Sequence, residues 1–279
     1  GRQKVYYYYM DPDSSDKYRV RISRYCFLIL VNDCQAFGCV NRKGEANLCG
    51  FLNRLIPVLV DQRESRQALI HDKLLETGLI KEAKNRYESA ANNYLDTIFD
   101  RVYFADYLSG RLTEAIWIRP NQQTGLLFET IVGSIIKKSQ IDLSKYLRSL
   151  IVEYCSVPQF RREQLFFKKE IHVIESAIEH GNSLMISENK AKKDVIPITM
   201  AAEYTFDQRN YLLALENRED GKILSLPIEK FTPLFESDPA VVPTQNQLDF
   251  VEELINDGAF WEKEEFEGKE DAARVLEQK

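Results

Sequence analysis

Nine residues, Leu48-Cys49-Gly50-Phe51-Leu52-Asn53-Arg54-Leu55-Ile56, constrain this chain most, because they recur as Leu143-Ser144-Lys145-Tyr146-Leu147-Arg148-Ser149-Leu150-Ile151. Both copies read L-x-x-aromatic-L-x-x-L-I, an apolar stripe at i, i+3, i+4, i+7 and i+8 along one helix face. Any core helix carries such a stripe, so the flanks decide what this one means. Each copy follows a short alternating strand: Tyr18-Arg19-Val20-Arg21-Ile22 before the first, Ala115-Ile116-Trp117-Ile118-Arg119 before the second. Ile22 precedes Leu48 by 26 positions and Ile118 precedes Leu143 by 25. Between strand and stripe lies a further apolar-periodic segment, Tyr25 to Phe37 in one copy and Leu126 to Lys138 in the other. The unit is strand–helix–turn–helix, present twice, and an internal repeat of this kind governs the fold of the N-terminal half.

A strand–helix–helix unit of about 45 residues cannot bury its own apolar face and depends on a neighbour. The two copies resemble ribbon-helix-helix modules, the second more clearly through Leu143-Ser144-Lys145-Tyr146-Leu147-Arg148 at the start of its second helix. That resemblance implies one strand from each copy paired antiparallel over four helices, with a single chain supplying both halves. The other reading is two unrelated helical hairpins that share a stripe.

Alternation in the strands turns Val20 and Ile22 to one side and Arg19 and Arg21 to the other. In the second strand Ile116 and Ile118 face inward, leaving Trp117 and Arg119 outward. Three guanidinium groups and an indole on one ribbon suit a nucleic-acid reader: guanidinium grips phosphate or base edges in bidentate fashion, and both planes stack on unpaired bases. The alternative is a solvated strand pair whose tryptophan is half covered by a neighbouring domain. Arg42 and Lys43, in the turn before the first stripe, and Lys145, at the start of the second, stand where helix N-termini can bind phosphate; solvated loop charge explains the first two equally well.

The formal charge of −6 weighs against nucleic acid only superficially. From Glu252 onward there are ten acidic and four basic residues, which accounts for the whole imbalance and leaves the preceding residues neutral. Basic faces remain available there. At 279 residues the chain has room for two or three domains. Its longest apolar run, Phe27 to Val31, is far short of the about 18 residues a bilayer span needs. Nothing ahead of the Tyr6 to Tyr9 run has the apolar centre of a secretory signal, so a cytoplasmic protein is expected. Tyr6 to Tyr9 read as an edge strand or arm, or as rings for base stacking.

Five cysteines, an odd count without a C-x-x-C pair, read as buried free thiols, and three histidines remote from them offer no zinc site. No metal or cofactor is expected. The sequence lacks G-x-S-x-G, H-E-x-x-H, a phosphate loop or paired histidines, so no enzyme is expected either. Asp61 to Arg111 reads as a helical connector, whose Tyr94, Ile98, Phe99, Val102, Tyr103 and Tyr107 form a packing stripe or, less simply, an aromatic surface.

From Arg161 a helix is expected to run to Glu179 with a Gly181 cap. Short strands then follow at Ser183–Ile186, Val195–Met200, Asn210–Leu215 and Lys222–Leu226, with a hairpin signal at Asn217-Arg218-Glu219-Asp220-Gly221. Ile171 to Phe231 resembles a WYL domain, a five-stranded Sm-like barrel of bacterial regulators and CRISPR-associated proteins. The matching residues are Ala177-Ile178-Glu179-His180-Gly181, Pro197, and Asn210-Tyr211-Leu212-Leu213-Ala214, where Asn210 replaces the family's tryptophan. The resemblance implies a nucleic-acid or nucleotide face, but the arginines family members often carry in the next strand are missing. Arg209, Lys222 and Lys230 remain to supply charge, with Tyr211 beside them; a degenerate barrel used for packing is the competing reading. Past Thr232, a helix is expected over Gln245–Asn256, and Phe260, Trp261 and Phe266 among acids suit a homodimer contact.

The expected architecture is therefore α+β: an intramolecular tandem ribbon-helix-helix pseudo-dimer with a helical insert, a small Sm-like five-stranded β-barrel (WYL), and an α/β C-terminal extension. Its segments are 1–60, 61–112, 113–165, 166–232 and 233–279. This order of domains resembles the WYL-domain accessory proteins of type VI-D CRISPR systems. The resemblance implies a non-catalytic protein that binds single-stranded RNA and stimulates an RNA-guided effector RNase. The alternatives are a regulator that binds duplex DNA through the ribbon and senses a ligand with the barrel, or a protein-interaction scaffold. Trp117 favours RNA, since an indole suits an unpaired base better than a base-pair edge.

Overall fold

The computed structural model describes residues 17–76, 110–136, 142–218, 221–238, 241–261 and 263–266. The tyrosine run Tyr6–Tyr9, the connector's aromatic stripe, the turn 139–141 and the acidic residues beyond Phe266 lie outside the described residues. Within them the protein is α+β and forms two compact units: 1–35 with 39–157, and 36–38 with 158–279.

In the first unit strand β1 (Tyr18–Ser23) leads directly into helix α1 (Arg24–Ala36), and α2 (Leu48–Glu76) follows. The second copy repeats this with β2 (Leu112–Ile118), α3 (Gln122–Ile131, continued by a π turn over Val132–Ile136) and α4 (Leu143–Cys155). β1 and β2 pair antiparallel, with Arg19 opposite Trp117 and Val20 opposite Ile116. The packing is crosswise: β1 lies on α4 and β2 on α2, so each copy supplies the floor for the other's strand. Neither copy is a folding unit alone.

The repeated stripe is the reason. Phe51, Leu52, Leu55 and Ile56 of α2 and Tyr146, Leu147, Leu150 and Ile151 of α4 are all buried, beneath Val20, Ile22, Ile116 and Ile118 of the ribbon. Each large side chain removed from water contributes about 1.5–3 kcal/mol before chain entropy is subtracted. Polar ties pin the two helices. Arg63 of α2 is buried, donates to Glu153 of α4 at 2.9 Å and to Ser149 at 2.9 Å, and lies over the Tyr146 ring. Arg66 bonds the same Glu153. The buried Tyr154 hydroxyl donates to buried Asp33 at 2.7 Å. α2 also runs unbroken through position 60, so the boundary expected at 60/61 falls inside a helix.

In the second unit the single helix expected over 161–179 is two: α5 (Gln159–Phe166) and α6 (Lys168–His180), broken at Phe167 with φ −98° and ψ 21°. Gly181 closes α6 at φ 67°, a left-handed cap that favours glycine. Strands β3 (Ser183–Glu188), β4 (Ala191–Ala202), β5 (Asn210–Glu216), β6 (Ile223–Pro227), β7 (Phe231–Ser237) and β8 (Glu265–Phe266) form one antiparallel sheet ordered β7-β3-β4-β5-β6-β8. β7 carries Pro233, which an edge strand tolerates. Pro197 sits in an inner strand at a register shift, the other place a sheet accepts it. Helix α7 (Gln245–Asn256) starts on a Thr244/Gln247 capping box and buries Phe250, Val251 and Leu254. β7 crosses the expected 232/233 boundary, and α7 and β8 share the core of β5 and β6, so the extension is part of the sheet unit.

Candidate nucleic-acid interface

The ribbon brings four of the expected residues onto one surface. Val20, Ile22, Ile116 and Ile118 point into the core, which leaves Arg19, Arg21, Trp117 and Arg119 exposed on the other side. Trp117 keeps 54% of its surface in solvent. The Arg19 guanidinium lies over its ring, 5.8 Å from the centroid, as the cross-strand register requires. Arg21 spends one N–H on the Leu112 carbonyl at 2.9 Å, bridging the two strands.

A knot of polar bonds holds the end of β2. Pro57 lies inside α2 and has no N–H to give the Asn53 carbonyl four residues earlier. That carbonyl instead accepts the hydroxyl of buried Thr124 at 3.2 Å. The Asn53 side chain donates to the Arg119 carbonyl at 2.7 Å and accepts the Asn121 N–H at 2.8 Å. Asn121 in turn caps α3 by accepting the Thr124 N–H at 2.8 Å. The Arg119–Asn121 turn is thereby tied at its main chain, while the Arg119 side chain stays exposed. Beside it lies a groove of about 430 Å³ lined by Lys17, Cys49, Trp117 and Arg119.

Sequence reasoning missed Lys17, Cys49 and Asn53 as members of this surface. Cys49 was expected as a buried thiol; it is half-buried, and its Sγ donates to the Arg119 carbonyl at 3.4 Å. Cys39 is also half-buried, whereas Cys26, Cys34 and Cys155 are buried. The motif contained the signal only as the two polar letters of L-C-G-F-L-N.

The helix starts are less open to phosphate than the turns suggest. Asn47 accepts the Gly50 N–H at 3.0 Å ahead of α2, and Asp142 accepts the Lys145 N–H at 2.6 Å ahead of α4. These side chains occupy N–H groups a phosphate would need, and Asp142 adds negative charge there. Lys145 is half-buried on the first turn of α4. Arg42 and Lys43 are exposed in a loop organised by Asn41, which accepts the Lys43 and Glu45 N–H groups.

The second unit overturns the expected WYL face. Arg209 is buried between Glu163 at 2.7 Å and Glu229 at 2.6 Å. Burial pushes the Glu163 carboxyl upward, and Arg209 and Asn210 oppose it. Asn210 is buried in the same network, donating to Glu163 and the Phe160 carbonyl, each at 2.8 Å. Tyr211 is buried too, its hydroxyl donating to Asp207 at 2.8 Å. Lys222 pairs with Glu265 at 3.3 Å and Lys230 with Glu264 at 2.7 Å, so the acidic C-terminal segment offsets their charge. The expected dimer contact is corrected as well. Phe260 and Phe266 sit in the chain's own core against Tyr211 and Phe250, and Trp261 is half-buried beside Phe206.

What this unit does expose is a loop no motif marked. The carboxylate of buried Glu203 accepts the N–H groups of Thr205, Phe206, Asp207 and Gln208 at 2.6 to 2.9 Å. Burial alone would raise its carboxyl, but these four donors hold it below the usual carboxylate value. The loop so fixed carries Tyr204 and Phe206, 66% and 76% exposed. Among the described residues no three or more His, Cys, Asp or Glu are grouped to hold a metal, and no helix is long and apolar enough to cross a membrane.

No protein-family model matches the chain, and no curated protein matches it. A solved structure described as the crystal structure of a CRISPR Cas-related protein shares the fold, with a TM-score of 0.63 at 14% identity. The likeness covers 94% of this chain and 74% of that one. At that identity it establishes a common fold and leaves function to the residues.

Proposed function

We propose that this chain is a non-catalytic accessory protein that binds single-stranded RNA through the β1–β2 ribbon and stimulates an RNA-guided CRISPR RNase. In this reading the crosswise pair of repeats is an intramolecular ribbon-helix-helix pseudo-dimer, and the β3–β7 sheet with α6 is a WYL-type Sm-like barrel. The observation that carries it is the exposed face on which Arg19 stands opposite Trp117 with Arg21 and Arg119 nearby. Cations that track a backbone, beside an aromatic plane that accepts any base, hold single strands with little sequence preference. The fold shared with a CRISPR Cas-related protein supports a CRISPR-associated role, and the type VI-D effector class rests on the resemblance in domain order read from the sequence. A two-stranded ribbon also fits a DNA major groove, which makes duplex DNA the second reading.

Binding of a short single-stranded RNA and of a duplex DNA, each over a salt series, separates the readings. RNA preference with a finite salt slope, weakened in an Arg19→Ala/Trp117→Ala chain that stays folded, is the expected result. Duplex preference transfers the ribbon to DNA, and no binding to either leaves a protein-interaction surface.

A further inference from the structure

The groove at the end of the ribbon has features that strand binding in general does not require. Among the described residues its lining is the Trp117 indole, the Lys17 and Arg119 cations and the Cys49 thiol, with no carboxylate. Its volume, about 430 Å³, lies in the roughly 300–1,000 Å³ range of small-ligand sites. Arg19, which lies over the Trp117 ring, is not part of the lining, so the groove and the guanidinium approach the indole from different places. Among the described residues neither Lys17 nor Arg119 has an ion-pair partner. The main chain at Arg119 is tied by Asn53 and Cys49, so the cation is presented from a fixed base.

We propose that this groove seats one unpaired nucleotide of the bound strand, its base against the Trp117 indole and its phosphate between Lys17 and Arg119. The proposal rests on the ribbon reading above and adds a defined subsite to it. A paired base offers its edge and not its face, so a duplex cannot fill the groove in this way. The seat is selective for single strands through stacking and indifferent to base identity, because among the described residues the lining supplies no donor and acceptor pattern facing a base edge beyond the Cys49 thiol.

Cys49 lies in the groove and serves as its reporter, with half-buried Cys39 as an internal comparison. The full chain is alkylated with iodoacetamide in the absence and presence of saturating oligouridylate, and the modified cysteines are mapped by mass spectrometry. Emission of Trp117, isolated in a Trp261→Phe chain, is followed over the same titration. The expected result is slower alkylation of Cys49 but not Cys39, with quenching of Trp117, by the single strand and not by duplex DNA. Trp117→Ala should lose the protection and about tenfold or more in RNA affinity, the scale of one stacked base. RNA that binds with a normal salt slope while Cys49 reacts at its free rate and Trp117 emission is unchanged overturns the subsite and leaves the ribbon standing. Protection that survives in Trp117→Ala, or that duplex DNA matches, also overturns it. No RNA binding at all removes the ribbon reading and the groove with it.

Discussion

The two units treat arginine and aromatic residues in opposite ways. On the ribbon, Arg19 and Trp117 project from strands whose alternate residues are locked in the core, Arg119 projects from the turn that follows β2, and the bonds that fix them run through the main chain. In the sheet unit, Arg209, just ahead of β5, and Tyr211 within it are residues of the same letter type yet are consumed by Glu163, Glu229 and Asp207. A basic residue is available to a ligand only when nothing in its own fold has desolvated or neutralised it. Under the proposed function, recognition falls to the first unit, while Arg209 and Tyr211 serve the integrity of the second.

The sharpest way to break that contrast is Arg209→Met. Removing one partner of a buried ion pair strands the other and should lower stability by about 3–5 kcal/mol, read as a shifted denaturation midpoint. RNA affinity under conditions where the variant is folded should be unchanged; a loss there would return Arg209 to the binding surface. Glu203→Gln tests the exposed loop of the same unit, with an expected loss of about 1–3 kcal/mol from replacing an acceptor that satisfies four N–H groups. Because its folded carboxyl lies below the ordinary value, its stabilisation is full above the normal carboxylate range and disappears as pH falls through the folded value. The Gln variant should therefore show a shallower loss of stability on acidification than the parent. An identical acid limb in the two chains would show that Glu203 is not held low.

Smaller effects sharpen the comparison on the ribbon side. Arg119→Ala should leave the denaturation midpoint in place and flatten the plot of log affinity for single-stranded RNA against log salt by about 0.7, one phosphate contact. An unchanged slope would place the strand elsewhere. Lys230→Ala is expected to move least, with stability changing by about 0–1 kcal/mol as for other exposed ion pairs, and RNA affinity unaltered.

How much of this was legible in sequence depends on the range of the interaction. Period-2 alternation predicts which side of each ribbon strand is buried, and all four inward residues are. The repeated stripe likewise predicts two helices, and the structure starts them at Leu48 and Leu143. The dimer contact failed because aromatic residues among acids look the same in sequence whether they lie on a surface or fold back into a core. Phe266 reaches that core only by pairing opposite Ile223, 43 positions away.

By itself the sequence determined the periodic elements, the doubling of the strand–helix–helix unit and the sidedness of the ribbon, since each follows from backbone geometry within a few residues. Tertiary structure alone decided which charges remain free. Whether Arg209 is a ligand or half of an ion pair, and whether Asn53 is a helix letter or the clasp behind Arg119, depends on partners 46 and 66 positions distant. Desolvation and pairing act through space, and no local pattern in the chain encodes them.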